Sequence, residues 1–81
     1  MMHYVCIIES ESKMGERYVG YTTNLKQRLG DHNRGHSSQT AKYTPWKMVF
    51  YTAFPDKMKA LEFESYLKSH SGKAFSTKRL F

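Results

Sequence analysis

The segment YVGYTTNLKQRLGDHN, residues 18–33, decides the fold. It opens with aromatic and β-branched residues, which favour a strand, and continues into a stretch rich in Leu, Lys and Gln, which favours a helix. Thr23 or Asn24 can cap that helix, and a glycine follows its predicted end. We therefore expect a strand over residues 16–21 and, directly after it, a helix over residues 24–34.

The remaining elements follow from similar patterns on either side of this segment. Apolar β-formers predict strands, polar stretches with glycine or proline predict turns, and a capping residue before an apolar period predicts a helix. We expect a strand over residues 3–9, a turn over 10–15, a loop over 35–44, a strand over 46–53, a helix capped by Asp56 and running to about residue 69, and a last helix from residue 71 or 72 to about residue 80. This order, ββαβαα, predicts an α+β fold: a small three-stranded, mostly antiparallel sheet flanked by helices.

The size and charge of the chain limit what it can do. Eighty-one residues suit one domain, residues 1–81, with a modest core. The formal net charge is +6, from 13 Lys and Arg against 7 Asp and Glu. Such a surplus favours an anionic partner, nucleic acid first and an acidic protein or membrane surface second.

Cysteine usage and hydropathy bear on where the protein works. Cys6 is the only cysteine, so no intramolecular disulfide can form. The sequence contains no run of about 18 apolar residues and no secretory signal pattern. We expect a cytoplasmic protein with no membrane partner.

A carboxylate falls on the apolar stripe of the second predicted helix. Ala60, Phe63, Glu64 and Leu67 follow the i, i+3, i+4, i+7 spacing of one helix face. Burying a lone carboxylate is costly unless a metal ion, a hydrogen-bond network or a cleft compensates it. Glu64 is therefore a candidate functional residue, and the alternative is a side chain at the edge of the stripe that reaches water.

Two further groups of polar residues are compatible with binding an anion. Arg28 and His32 are i, i+4 neighbours on the first predicted helix and suit a phosphate, although an ordinary solvated face explains them as well. Aromatic and basic residues alternate near the third strand, where they either track a nucleic acid backbone or close the core. These residues are Lys42, Tyr43, Trp46 and Lys47, and we expect Trp46 to be core.

Combined with the predicted hairpin, these residues resemble the GIY-YIG nuclease superfamily, which includes the N-terminal cleavage domain of the bacterial excision-repair endonuclease UvrC and many small single-domain proteins. The resemblance covers nearly the whole chain. Its parts are Tyr4-Val5-Cys6 at the first motif, Tyr18-Val19-Gly20 at the second, the stretch from Thr22 through Arg28 and Leu29, Asp31-His32-Asn33 with Gly35, Ala41-Lys42-Tyr43-Thr44, and Ala60-Leu61-Glu62-Phe63-Glu64 with Leu67-Lys68.

The resemblance implies an active site and one departure from it. The catalytic residues would be Tyr18, Arg28, His32 and Glu64, with Glu64 holding one Mg²⁺ or Mn²⁺ ion. It further suggests contacts from Asn24, Lys26, Lys42 and Tyr43 to nucleic acid. The tyrosine of the first motif is replaced by Cys6, and Tyr4 points to the same side of the strand because it lies two residues away.

The function implied by the resemblance is a metal-dependent endonuclease that hydrolyses phosphodiester bonds in DNA, in repair or recombination. Tyr18 would orient or deprotonate the attacking water, and since a tyrosine ionises only near pH ~10, it needs a nearby positive charge such as Arg28. The alternative is a catalytically weak or inactive module that binds nucleic acid or a repair partner, which Cys6 favours. A third reading is a small basic protein that binds an acidic protein. We expect DNA rather than RNA as partner, and a monomer or weak dimer.

Overall fold

A computed structural model describes residues 1–35 and 38–80 of the chain. Its elements, in chain order, are β1 (His3–Ser10), β2 (Arg17–Thr22), α1 (Leu25–Asn33), α2 (Ser38–Ala41), β3 (Trp46–Phe54), α3 (Lys57–Lys68) and α4 (His70–Arg79). The three strands form one antiparallel sheet in the order β2-β1-β3. The α+β fold expected from the sequence is confirmed.

Capping residues set the helix boundaries close to their predicted positions. Asn24 caps α1 by accepting a hydrogen bond from the backbone N–H of Gln27 at 3.1 Å, and Asp56 caps α3 through the N–H of Met58 at 2.9 Å. Ser69 caps α4, accepting from the N–H of Gly72 at 3.1 Å. Because that cap follows α3 directly, α4 begins one residue before the earlier of its two predicted starts.

The predicted loop over residues 35–44 contains the one-turn helix α2, which the sequence did not indicate. Residues 36 and 37 of this loop lie outside the described residues. The buried Thr40 holds the turn in place: its backbone carbonyl accepts from the indole N–H of Trp46 at 2.8 Å, and its hydroxyl is 2.8 Å from Nδ1 of His32. Tertiary hydrogen bonds of this kind leave no periodic signal in a polar stretch.

The register of the sheet assigns alternate residues of β1 to two different tasks. Val5 and Ile7 form the centre of the core with Ala60 and Leu67 of α3, all of them at most 2% exposed. Since successive side chains point to opposite faces, Cys6 faces the other way. One face of the sheet therefore carries this apolar core, and Cys6 lies on the opposite face.

Partly buried aromatic and aliphatic residues extend the core around this centre. They are Val19, Tyr21, Val49, Phe50, Phe54, Phe63 and Leu80. Trp46 is 4% exposed, which confirms its predicted place in the interior. Within the described part of the chain, no helix has the length and apolar character needed to cross a membrane.

Candidate active site

The guanidinium of Arg28 lies flat against the backbone of Gly20. A Cβ atom at position 20 would stand 2.8 Å from Nη2 of Arg28 and 3.2 Å from its Nε, closer than packed atoms tolerate. Gly20 has an ordinary strand conformation, so its role is to make room for the arginine and not to relieve backbone strain. The position of the Arg28 side chain therefore depends on the absence of a side chain at Gly20, the glycine of the second motif.

Arg28 keeps hydrogen-bonding capacity unused. Its Nε is buried and has no hydrogen-bond partner among the described residues. An unsatisfied buried donor costs about 1–3 kcal/mol, and a guanidinium is well shaped to bind a phosphate. The Arg28 guanidinium is therefore suited to bind an anionic ligand.

Tyr18 and His32 face each other across the gap between β2 and α1. Their ring centroids are 5.1 Å apart with a tilt of 57°. His32 is 6% exposed and is fixed by its contact with Thr40, so both rings are held by surrounding structure. Tyr18 is paired with Ile8 in the sheet and Gly20 with Cys6, which places Tyr18 on the same face as the Arg28 guanidinium.

The surroundings of His32 favour its neutral form. Burial lowers the pKa of His32 below its usual value of 6.5, the charge of Arg28 lowers it further, and Asp31 opposes the shift. When Nδ1–H donates to the hydroxyl of Thr40, Nε2 is the basic nitrogen of the ring. A neutral imidazole beside a phenol can accept a proton from it.

Helix α3 brings a carboxylate and an ammonium to the same place. Lys68 Nζ is 3.5 Å from Oε2 of Glu64 and 5.9 Å from the centroid of the Tyr18 ring. The Glu64 side chain is 20% exposed, so the carboxylate lies at the edge of the packed face and remains accessible. Tyr18 thus has His32 and the Lys68–Glu64 pair as neighbours, and the Arg28 guanidinium lies on the same face of the sheet; the catalytic roles of these residues stay predictions.

Cys6 lies next to this cluster, because it pairs in the sheet with Gly20, beside which the Arg28 guanidinium lies. The thiol is 2% exposed, and burial raises its pKa above the usual value of 9.0. The charge of Arg28 lowers this pKa, and the charge of Glu64 raises it. Tyr4 instead packs edge-on against Tyr51 of β3, with ring centroids 6.4 Å apart.

The donor set around Glu64 fits a hard divalent cation held by one carboxylate. In the described part of the chain, no three His, Cys, Asp or Glu side chains come together as a metal cage. Mg²⁺ and Mn²⁺ are commonly bound by one or two carboxylates, with water and substrate phosphate oxygens completing the shell. Glu64 would hold such an ion in place of its present partner Lys68.

The residues predicted to contact nucleic acid have structural contacts of their own. Asn24 caps α1 and Lys26 is exposed on the same helix. Lys42 Nζ lies 5.1 Å from the centroid of the Tyr43 ring, which packs edge-on against Trp46 at 6.4 Å. Contacts from these four residues, Asn24, Lys26, Lys42 and Tyr43, to nucleic acid stay predictions.

Lys68 is the site residue that the sequence argument did not single out. It lies four residues after Glu64 on α3, and an ion pair at this spacing is common on helices. The spacing alone could have suggested the pair. The contact with Tyr18, however, depends on how α3 crosses the hairpin.

The fold and the site together define a small α+β domain in which a sheet and its first helix build a tyrosine–arginine–histidine cluster beside a glutamate. The family model of the GIY-YIG catalytic domain matches residues 2–79. The chain belongs to the GIY-YIG family.

Relatives in two groups show similar sequences. The UPF0213 protein BH0048 of Halalkalibacterium halodurans is 40% identical over 72 residues, covering 84% of this chain and 71% of that protein. A solution NMR structure of the UPF0213 protein BH0048 from Bacillus halodurans matches 96% of this chain and 84% of that one, with a TM-score of 0.57 and 36% identity. A structure-specific endonuclease subunit SLX1 homolog of Drosophila mojavensis is 47% identical over 55 residues, 62% of this chain. This chain spans only 18% of the length of that homolog.

Proposed function

We propose that this chain is a metal-dependent endonuclease that hydrolyses phosphodiester bonds in DNA, acting in repair or recombination. One observation carries the proposal: the Arg28 guanidinium, with its unpaired Nε, is held beside the Tyr18–His32 pair on the side where Glu64 lies. Membership of a nuclease family and similarity to proteins named as structure-specific endonuclease subunits support it.

Each residue of the cluster has a task in phosphodiester hydrolysis. Arg28 binds the scissile phosphate and stabilises the negative charge that grows on its oxygens. The phenol of Tyr18 orients the attacking water. As the water attacks phosphorus, the phenol oxygen takes the proton of the water and gives its own proton to the neutral His32. Lys68 and Arg28 supply the positive charge that a tyrosine needs to act as a base.

Glu64 completes the site as the ligand for a divalent cation. A Mg²⁺ or Mn²⁺ ion bound there would polarise a phosphate oxygen and assist the leaving oxygen. Because Glu64 is partly exposed and its present partner is a flexible lysine, the carboxylate can exchange one cation for another.

The decisive experiment is nicking of supercoiled plasmid by the purified protein, with Mg²⁺ or Mn²⁺ and with chelator. We expect metal-dependent nicking that Glu64→Gln abolishes, while DNA binding measured in chelator persists. Glu62→Gln is the matched control, because Glu62 is an exposed carboxylate on the same helix and nicking should be unchanged. Arg28→Ala should slow nicking by about 10²–10³-fold, the usual cost of removing a group that stabilises transition-state charge. Full nicking by Glu64→Gln would exclude the metal role.

A second candidate function is a nucleic-acid-binding module without cleavage. The observation that favours it is Cys6, a buried thiol with a raised pKa at the position of the first-motif tyrosine. Such a module would bind DNA with a steep salt dependence and leave the plasmid intact in every metal.

A further inference from the structure

We propose that the groove between the β1–β2 hairpin and α4 carries the sugar-phosphate backbone of a nucleic acid strand leaving the active site, with Lys68 and Lys73 contacting its phosphates. This inference rests on the proposed nuclease function and adds a binding track to it. Asn24, Lys26, Lys42 and Tyr43 are not among the residues that line this groove.

The groove starts at the active site itself. It has a volume of about 460 Å³, within the range of sites that hold small ligands. Tyr18 of β2 and Lys68, the last residue of α3, line the groove, and both also belong to the catalytic cluster. Arg17 and Val19 line it from β2, and Lys73 lines it from α4. A nucleic acid strand bound at Tyr18 can therefore continue along the protein surface into this groove.

The charges lining the groove suit a polyanion. Three lining residues are cationic, Arg17, Lys68 and Lys73, and one is acidic, Glu16. Glu16 is paired with Lys13 at 3.8 Å, Arg17 with Glu9 at 3.4 Å and Lys68 with Glu64 at 3.5 Å, so the surplus positive charge of the lining comes from Lys73. Among the described residues no carboxylate pairs with Lys73, and its side chain is exposed to the groove and to solvent.

The hydroxyl groups of the groove indicate which part of a nucleic acid it would recognise. Ser76 and Thr77 line it, but their hydroxyls donate to the α4 backbone carbonyls of Gly72 and Lys73 at 2.9 and 3.0 Å. Their hydrogens are therefore engaged within the helix, and the groove offers the ammonium groups of Lys68 and Lys73 and the guanidinium of Arg17, which is paired with Glu9. Recognition by charge alone fits a phosphate backbone and is independent of base sequence.

The test compares binding of a labelled DNA duplex with a single-stranded branch, measured in chelator at several salt concentrations. Lys73→Gln should weaken binding about two- to fivefold, the range of one exposed ion pair, and lower the slope of log K against log salt by about one. Lys78→Gln is the matched control, because it removes the same charge from the same helix at an exposed position that does not line the groove. Thermal unfolding of both variants should match that of the unchanged protein.

Three outcomes would contradict the proposal that this groove binds a nucleic acid backbone. Equal effects of Lys73→Gln and Lys78→Gln would mean that only net charge matters. No effect of Lys73→Gln on DNA binding would mean that the groove is unused. Binding of poly-glutamate that depends on Lys73 while DNA binding does not would assign the groove to an acidic protein. Absence of plasmid nicking alone refutes the nuclease proposal and not the track, which the binding data decide separately.

Discussion

The absence of a side chain at Gly20 determines where the guanidinium of Arg28 can lie. Gly20→Ala places a methyl group 2.8 Å from Nη2 of Arg28, so we expect the guanidinium to move away from the strand. Position 20 is in extended backbone, which alanine also adopts, so the fold should persist. Plasmid nicking should fall at least about tenfold, because small misplacements of a charge-stabilising group are costly.

The matched comparison for this variant is Gly30→Ala. A Cβ there would meet Nη2 of Arg34 at 3.1 Å, the far end of a flexible side chain that can turn aside. Alanine in a helix interior is favoured over glycine by about 1 kcal/mol, so stability should rise slightly and nicking should be unchanged. Equal nicking by the Gly20 and Gly30 variants would contradict the role given to Gly20.

The thiol of Cys6 should be nearly inert in the folded protein. Only the thiolate reacts with alkylating reagents, and here burial both raises the pKa and blocks access. We expect iodoacetamide at pH 8 to modify the native chain at least tenfold more slowly than the urea-unfolded chain, measured by mass. Since Cys6 is the only cysteine, the mass shift reports on it alone. Similar rates in both states would show that the thiol is accessible.

At the scale of elements, Asn24 has two separable roles. Its side chain caps α1, and it is also a predicted contact to nucleic acid. Asn24→Ala should cost about 0.5–2 kcal/mol of stability, whereas Asn24→Asp retains a good cap and adds a negative charge. If Asn24 faces a phosphate, the aspartate variant should melt normally and bind DNA less tightly. Normal binding by a stably folded aspartate variant would leave Asn24 as a cap only.

Strands and longer helices could be predicted because their signals are local. The caps Asn24, Asp56 and Ser69 and the apolar runs of β1 and β3 act within a few residues, and each predicted element was found. The short helix α2 is not predicted, because it depends on side-chain contacts of Thr40 with His32 of α1 and Trp46 of β3, which leave no periodic pattern within the loop itself.

Much of the candidate site could also be expected from the sequence, but for a different reason. The family resemblance predicts Tyr18, Arg28, His32 and Glu64 as site residues. Helix periodicity alone leaves Arg28, His32 and Glu64 equally compatible with an ordinary helix surface, and it does not bear on Tyr18. Lys68 and the α4 groove were not expected, because they arise from the packing of α3 and α4 against the hairpin. Helices α3 and α4 also pack closely on each other, since a Cβ at Gly72 would clash with the backbone oxygen of Tyr66.

At the scale of the whole molecule, stability should depend on pH through His32. The pKa of His32 is lower in the folded chain than in the unfolded chain, where it is about 6.5. Between these two values the unfolded chain binds more protons, so the free energy of unfolding falls as the pH drops below 6.5 and levels off below the folded pKa. The melting temperature of the unchanged protein should therefore decline more steeply between pH 7 and 5 than that of His32→Gln. Parallel curves would mean that His32 takes up protons equally well in both states.

The order β2-β1-β3 leaves β2, which carries Tyr18 and Gly20, at the rim of the sheet. An active site on an edge strand is accessible from the side of the sheet, in contrast to one at the end of a tunnel. A polymer can lie across it at any point along its length and need not be threaded in from a terminus. Under the proposed nuclease function, we therefore expect closed circular DNA to be cleaved as readily as linear fragments.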